Sequence, residues 1–243
     1  MILGNVRTSL GRNDAQLALR LVARGSRLEL ERAEERLRDE GIDALLDDPR
    51  LVASLIESPT AAHASLALFF YVMVRQSLRN VGEEDRLLAD YVAAILVHFA
   101  MRGRATRIAE YDDEEYLTLA ALVDSLDTSD AQRAFLVRQH LGNYSLWLSG
   151  LYPEWISHRR WRRGGPDIDY YEALGRRGFH LAADHQLARQ HGLATLLHDA
   201  AERFEVLRIA LNAVSDSLLF PNHSSPDRLM RQVRDESRWK RSS

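Results

Sequence analysis

Apolar residues recur at steps of three and four along nearly the whole chain, and strict two-residue alternation is hard to find. A repeat near 3.6 residues sets one apolar stripe along a helix, so the chain reads as a succession of amphipathic helices. The pattern predicts helices over about 14–40, 44–57, 61–80, 83–102, 112–126, 130–149, 153–163, 169–185 and 191–219, with a short one possible from 227. Asn13 or Asp14, Thr60 and Ser129 stand where a side-chain oxygen can accept from the free amides of a first turn. Gly41, Gly82 and Gly164-Gly165-Pro166 supply the stops. The expected architecture is all-α: a single-domain bundle of about eight or nine helices over 1–220, followed by a basic, mobile C-terminal tail, 221–243.

The clearest periodicity lies near the end. Leu193, Leu197, Ala200, Phe204, Leu207, Leu211, Val214 and Leu218 alternate steps of four and three, a seam suited to a nearly parallel or antiparallel neighbour. Such a seam serves a bundle core or a dimer. Leu196, Ile209 and Ala210 widen it beyond a two-stranded coiled coil, which favours the core. Further core residues are expected at Phe69, Phe70, Leu88, Ile95, Phe135, Leu146, Trp147 and Leu174.

Composition narrows the chemistry. The 243 residues are 46% apolar and 28% charged, enough for a sizeable core and incompatible with global disorder. No cysteine is present, so disulfides, thiolate metal sites and a cysteine nucleophile are excluded. Lys240 is the only lysine, and neither GxxxxGK[ST], GxGxxG nor GxSxG occurs. The longest uncharged run, 58–74, contains His63 and several small residues and is a poor membrane span. Residues 1–12 lack the apolar core of a signal peptide, so a cytoplasmic protein of bacterial type is expected. Nine histidines are present without any Glu-x-x-His or HExxH spacing. The pairs Glu154/His158 and His180/Asp184, each four apart, read as surface pairs, and no metal or cofactor is expected.

Two constellations remain. His158-Arg159-Arg160-Trp161-Arg162-Arg163 interleaves four arginines with an indole and suits an anionic or protein partner. The tail adds Arg228, Arg231, Arg234, Arg238, Trp239, Lys240 and Arg241. A sequence pI near 6.3 argues against a dedicated nucleic-acid binder. The second constellation is polar. Gly142 and Asn143 are poor mid-helix residues inside an apolar run, which suggests close helix approach at the first and a buried amide network at the second. Arg208, Asn212 and Asp216 form a polar line spaced four and four beside the apolar seam. With Asn143, Tyr144 and Tyr171 they would line a small-ligand pocket or lock one helix register.

The stretch Leu141–Pro153, followed by Asp169-Tyr170-Tyr171 and Gly175-Arg176, resembles a bacterial all-helical family with no assigned function. The resemblance covers the C-terminal half. It implies the fold class and no catalytic residues. The expected function is a non-catalytic interaction protein that engages a protein partner or itself. The alternative is a helical enzyme or ligand-binding protein with a pocket around Asn143, Tyr171, Arg208 and Asn212.

Overall fold

In a computed structural model, residues 1–222 and 224–242 are described, with side chains through Glu236; those of Arg238, Trp239, Lys240 and Arg241 lie outside the described set. No strand occurs among the described residues, and contacts divide the chain into two compact units, 2–102 and 103–243 together with Met1. The first unit comprises α1 (Val6–Ser9), α2 (Arg12–Ala23), α3 (Arg27–Glu40), α4 (Asp43–Leu46), α5 (Pro49–Glu57), a 3-10 turn (Pro59–His63), α6 (Leu66–Asn80) and α7 (Arg86–Ala100). The second comprises α8 (Leu119–Asp124), α9 (Ala131–Leu151), α10 (Pro153–Arg163), α11 (Ile168–Ala183), α12 (Gln186–Gln190), α13 (Ala194–Glu202), α14 (Phe204–Val214), a π-helical turn (Ser215–Leu219) and α15 (Pro226–Ser242).

The all-α expectation holds, but there are fifteen described helices rather than eight or nine. Breaks at Ser26, Asp48 and Arg203 divide three of the expected helices, and the short α1 and α12 lie outside the expected stretches. The helix expected over 14–40 breaks at Arg24 and Gly25, both left-handed at φ 48° and 81°, and Ser26 caps α3 by accepting from the Glu29 amide. Asp48 likewise starts α5 ahead of Pro49, Ser65 starts α6, and Thr118 shortens the helix expected over 112–126 to α8. The long terminal helix breaks at Arg203 into α13 and α14.

The seam survives that break. Leu193, Leu197, Ala200, Phe204, Leu207, Leu211 and Val214 are all buried within the chain, as a bundle core requires. Leu88, Ile95, Phe135 and Leu146 are buried as expected. Phe69, Phe70, Trp147, Leu174 and Leu218 are only half-buried.

In the first unit, α6 and α7 bury Leu68, Tyr71, Val72 and Leu78 with Leu88, Tyr91, Val92 and Ile95. A carboxylate-centred network ties its shorter helices. Asp48 is 4% exposed and accepts from Arg36 at 2.7 Å and from Arg50 at 2.9 Å. Burial opposes its charge, but the two guanidiniums outweigh that and hold the carboxyl at about 2.

The second unit is built around α9, in which 16 of 21 residues are buried. It meets α11 at a contact that only glycine permits. A Cβ on Gly178 would sit 2.6 Å from the Gly142 backbone nitrogen, and one on Gly142 would sit 2.4 Å from the Phe179 ring. The close approach expected at Gly142 is therefore present, with Gly178 as its counterpart. Gly175 makes the equivalent room for Phe204, whose ring would lie 2.2 Å from a Cβ there.

Two outcomes follow from these contacts. Gly178→Ala faces backbone that cannot rotate away, so a loss of about 1–3 kcal/mol is expected, read as a lower urea midpoint at unchanged m value. Asp48 has its folded-state pKa depressed from 3.8 to about 2, so its stabilisation is present above about pH 4 and disappears as pH falls towards 2. Asp48→Asn should lower stability at neutral pH and remove that part of the acid limb in a pH series of denaturation curves.

Candidate functional site

Arg208 is the largest fully buried side chain among those described, at 0% exposure. It stands on α14 beside the apolar seam, and a guanidinium there must be paired or it would carry a heavy desolvation penalty. Glu172 of α11 accepts from its Nε at 2.5 Å. Asp235 of α15 accepts from both terminal nitrogens, at 3.1 and 2.9 Å, in the forked geometry that suits guanidinium and carboxylate. The Asn212 side-chain oxygen accepts a third contact at 2.7 Å. Burial disfavours the Arg208 charge, yet the two carboxylates win and its pKa moves upward.

Asn212 completes the network. Its amide nitrogen donates to the carbonyls of Ser149 and Gly150 at 2.8 and 2.7 Å, near the end of α9. Ser215 donates to the Leu151 carbonyl at 2.7 Å. These bonds engage backbone acceptors in the last turn of α9, where the helix leaves carbonyls without intrahelical partners. One polar line on α14 thus joins α9, α11 and α15.

The π-helical turn then presents Asp216 to α15. Arg231 donates to its carboxylate at 2.8 Å, Arg228 lies 3.2 Å away, and Arg231 also reaches Glu154 of α10 at 3.2 Å. Arg228 further donates to the carbonyls of Phe220 and Asp216 at 2.7 and 2.6 Å. Within the stretch expected as a basic tail, residues 226–242 form α15, the helix foreseen from Asp227, and it docks by charge. Among its described side chains Arg228, Arg231 and Asp235 are buried, whereas Leu229, Met230 and Val233 are 57%, 71% and 63% exposed. This inverts the usual arrangement of an amphipathic helix.

The residues singled out from the sequence fall into separate groups. Arg208 and Asn212 touch, and Asp216 lies one turn on with Arg228 and Arg231. Asn212 and Asp216 line an open groove of about 410 Å³ with Ile209, Arg228 and Gln232, and Asn143, Tyr144 and Tyr171 are not among its walls. Tyr144 instead belongs to an aromatic column on α9, stacked with His140 at 5.8 Å and Trp147 at 5.7 Å. Burial pushes the Tyr144 and Tyr171 hydroxyls above their ordinary range, and both feel Arg159. Asn143 is buried on α9, 1% exposed.

The arginine cluster also divides. Arg159 is half-buried, 5.1 Å from the Trp155 ring centroid in cation–π geometry. Arg160 lies 3.4 Å from Asp167. Arg162 and Arg163 are exposed without an ion pair among the described residues, and Trp161 is 78% exposed. A groove of about 540 Å³ runs between α10, the start of α11 and α15, lined by Ile156, Arg160, Ile168, Met230, Val233 and Arg234 among others. Sequence reasoning missed Glu172 and Asp235, the acidic partners of Arg208, and set Glu154 beside His158, whereas Glu154 reaches Arg231. The one available signal was that an arginine in an apolar seam requires carboxylates from elsewhere.

No protein-family model matches the sequence, and searches of curated proteins and of solved structures return no match.

Removing one side of a buried pair strands the other, at about 3–5 kcal/mol. Arg208→Met should therefore lower the urea midpoint more than any surface substitution. Asp235→Asn should release α15 first, seen as loss of hydrogen-exchange protection in α15 before α9.

Proposed function

We propose that this chain is a non-catalytic, cytoplasmic interaction protein that docks an acidic, amphipathic segment of a protein partner along α10 and α15. One observation carries the reading: α15 buries Arg228, Arg231 and Asp235 and turns Leu229, Met230 and Val233 to solvent beside an exposed run of arginine and tryptophan. Met230 and Val233 form an apolar wall of the α10–α15 groove, which Arg160, Arg231 and Arg234 line together with Asp167 and Asp227. On α10, four arginines stand against one glutamate, a net +3 on a chain whose total is −3. Exposed tryptophan, methionine and arginine are the types enriched at protein interfaces. That pairing of apolar floor and cationic edge is complementary to leucine or phenylalanine alternating with glutamate or aspartate. No described helix is long and apolar enough to cross a membrane.

The small-ligand alternative has less support. Arg208 commits its donors to Glu172, Asn212 and Asp235, and the Asn212 amide is committed to α9 carbonyls. That pattern favours the register lock over a pocket.

A labelled Glu/Leu amphipathic peptide titrated with the full chain checks the proposal by fluorescence anisotropy. Saturable binding should weaken with added salt. It should also fall about tenfold or more in Arg162→Glu/Arg163→Glu and in Met230→Asp, the loss expected of interface anchors, with circular dichroism unchanged. Absence of binding, or binding indifferent to these substitutions, removes the reading. Binding to anionic vesicles in place of the peptide, or a stable dimer in sedimentation that Met230→Asp dissolves, would replace it with a membrane surface or a self-contact.

A further inference from the structure

The far side of α11 carries a cluster that the α10–α15 surface does not use. His180 stands on the last turn of α11, while His198 and Glu202 stand four apart on one face of α13. The His180 Nε2 lies 3.3 Å from a Glu202 oxygen, and the two imidazoles meet edge to face at 5.2 Å between centroids. One ligand atom from each of the three residues falls within 4.8 Å of the other two. His180 thus takes its acidic partner from another helix, not from Asp184 four residues on.

We propose that His180, His198 and Glu202 form a binding site for a divalent transition-metal ion of the zinc type. Two imidazole nitrogens and one carboxylate oxygen make a donor set that suits Zn²⁺ and its neighbours over Mg²⁺ or Ca²⁺, which take mainly oxygen. Ligands at 2.0–2.2 Å from a tetrahedral zinc stand about 3.4 Å apart. The His180–Glu202 separation already matches this, and the remaining distances close by rotation of exposed or half-exposed side chains. A hydrogen-bonded His–Glu pair would explain His180 and Glu202 alone. It leaves unexplained the second imidazole turned into the same spot.

Backbone packing supports the assignment. Gly175 and Gly178 bring α11 close to its neighbours, and Ala182, Ala183, Leu197, Ala200 and Ala201 are buried. The three ligands therefore project from rigid helices. Three protein ligands leave the fourth position to water, the arrangement of an open zinc site. The ion would clamp α11 to α13 at the rim of their interface. This inference does not rest on the partner-docking surface.

Zinc uptake by the tag-free full chain, measured in competition with a chromophoric chelator, tests it. One equivalent should bind. Affinity should fall by at least about 10–100-fold in His198→Ala, His180→Ala and Glu202→Gln, since loss of a ligand costs no less than loss of an outer partner. The exposed control His158→Ala should bind like the unmodified chain. Cobalt should give the visible absorption of a four- or five-coordinate site, and zinc should raise Tm in the unmodified chain and not in the three variants. His198 and Glu202 are exposed, so their replacement leaves the core intact, and circular dichroism verifies this. Equal uptake by His198→Ala and the unmodified chain overturns the proposal. So does failure of the unmodified chain to bind zinc at concentrations where the His180→Ala/His198→Ala double variant also stays empty.

Discussion

A single guanidinium, withdrawn completely from water, governs the arrangement of the second unit. Arg208 cannot remain charged in an apolar seam unless acceptors surround it, and those acceptors arrive from α11 and α15. Apolar contacts alone would tolerate small slides of one helix along another. A forked, two-point contact to Asp235 does not, because each nitrogen must find its own oxygen. The network thus supplies directional restraint where the seam supplies adhesion. The orientation of α15 follows. It faces the unit with Arg228, Arg231 and Asp235, so its leucine, methionine and valine must face out.

Close approach is the second ingredient. Gly142 and Gly178 remove the side chains that would otherwise hold α9 and α11 apart, and Gly175 receives Phe204. Gly150 likewise admits Leu211 of α14, whose Cβ would lie 2.7 Å from a Cβ there, and the carbonyls of Ser149 and Gly150 come within reach of Asn212. Small residues and the polar network are therefore coupled: the first sets the distance, and the second sets the register.

Much of this was legible in the sequence, and the limits have physical causes. The seam from Leu193 to Val214 and the role of Gly142 followed from spacing, because helix periodicity and side-chain size act locally. The helix count did not follow, because Ser26, Asp48 and Arg203 divide expected helices and because α1 and α12, of four and five residues, are too short to show a period. Arg208 and Asn212 were identifiable as misfits in an apolar environment. Their partners Glu172 and Asp235 were not, since they lie 36 and 27 residues from Arg208. The same blindness hid the His180, His198 and Glu202 cluster, because His180 reaches the His198/Glu202 pair of α13 from a different helix. The outward face of α15 was the least accessible of all, because hydrophobic patterning assigns the apolar side to the interior.

The π-helical turn at Ser215–Leu219 has a bearing on how this chain compares with others. Its hydrogen bond from the Phe220 amide to the Ser215 carbonyl spans five residues, so the turn holds one more amino acid than the helix preceding it. A chain shorter by that surplus residue would continue as plain α-helix and lose the offset that brings the Phe220 carbonyl to Arg228. A one-position gap in an alignment here would therefore mark a change of wiring, although the sequences on both sides matched throughout.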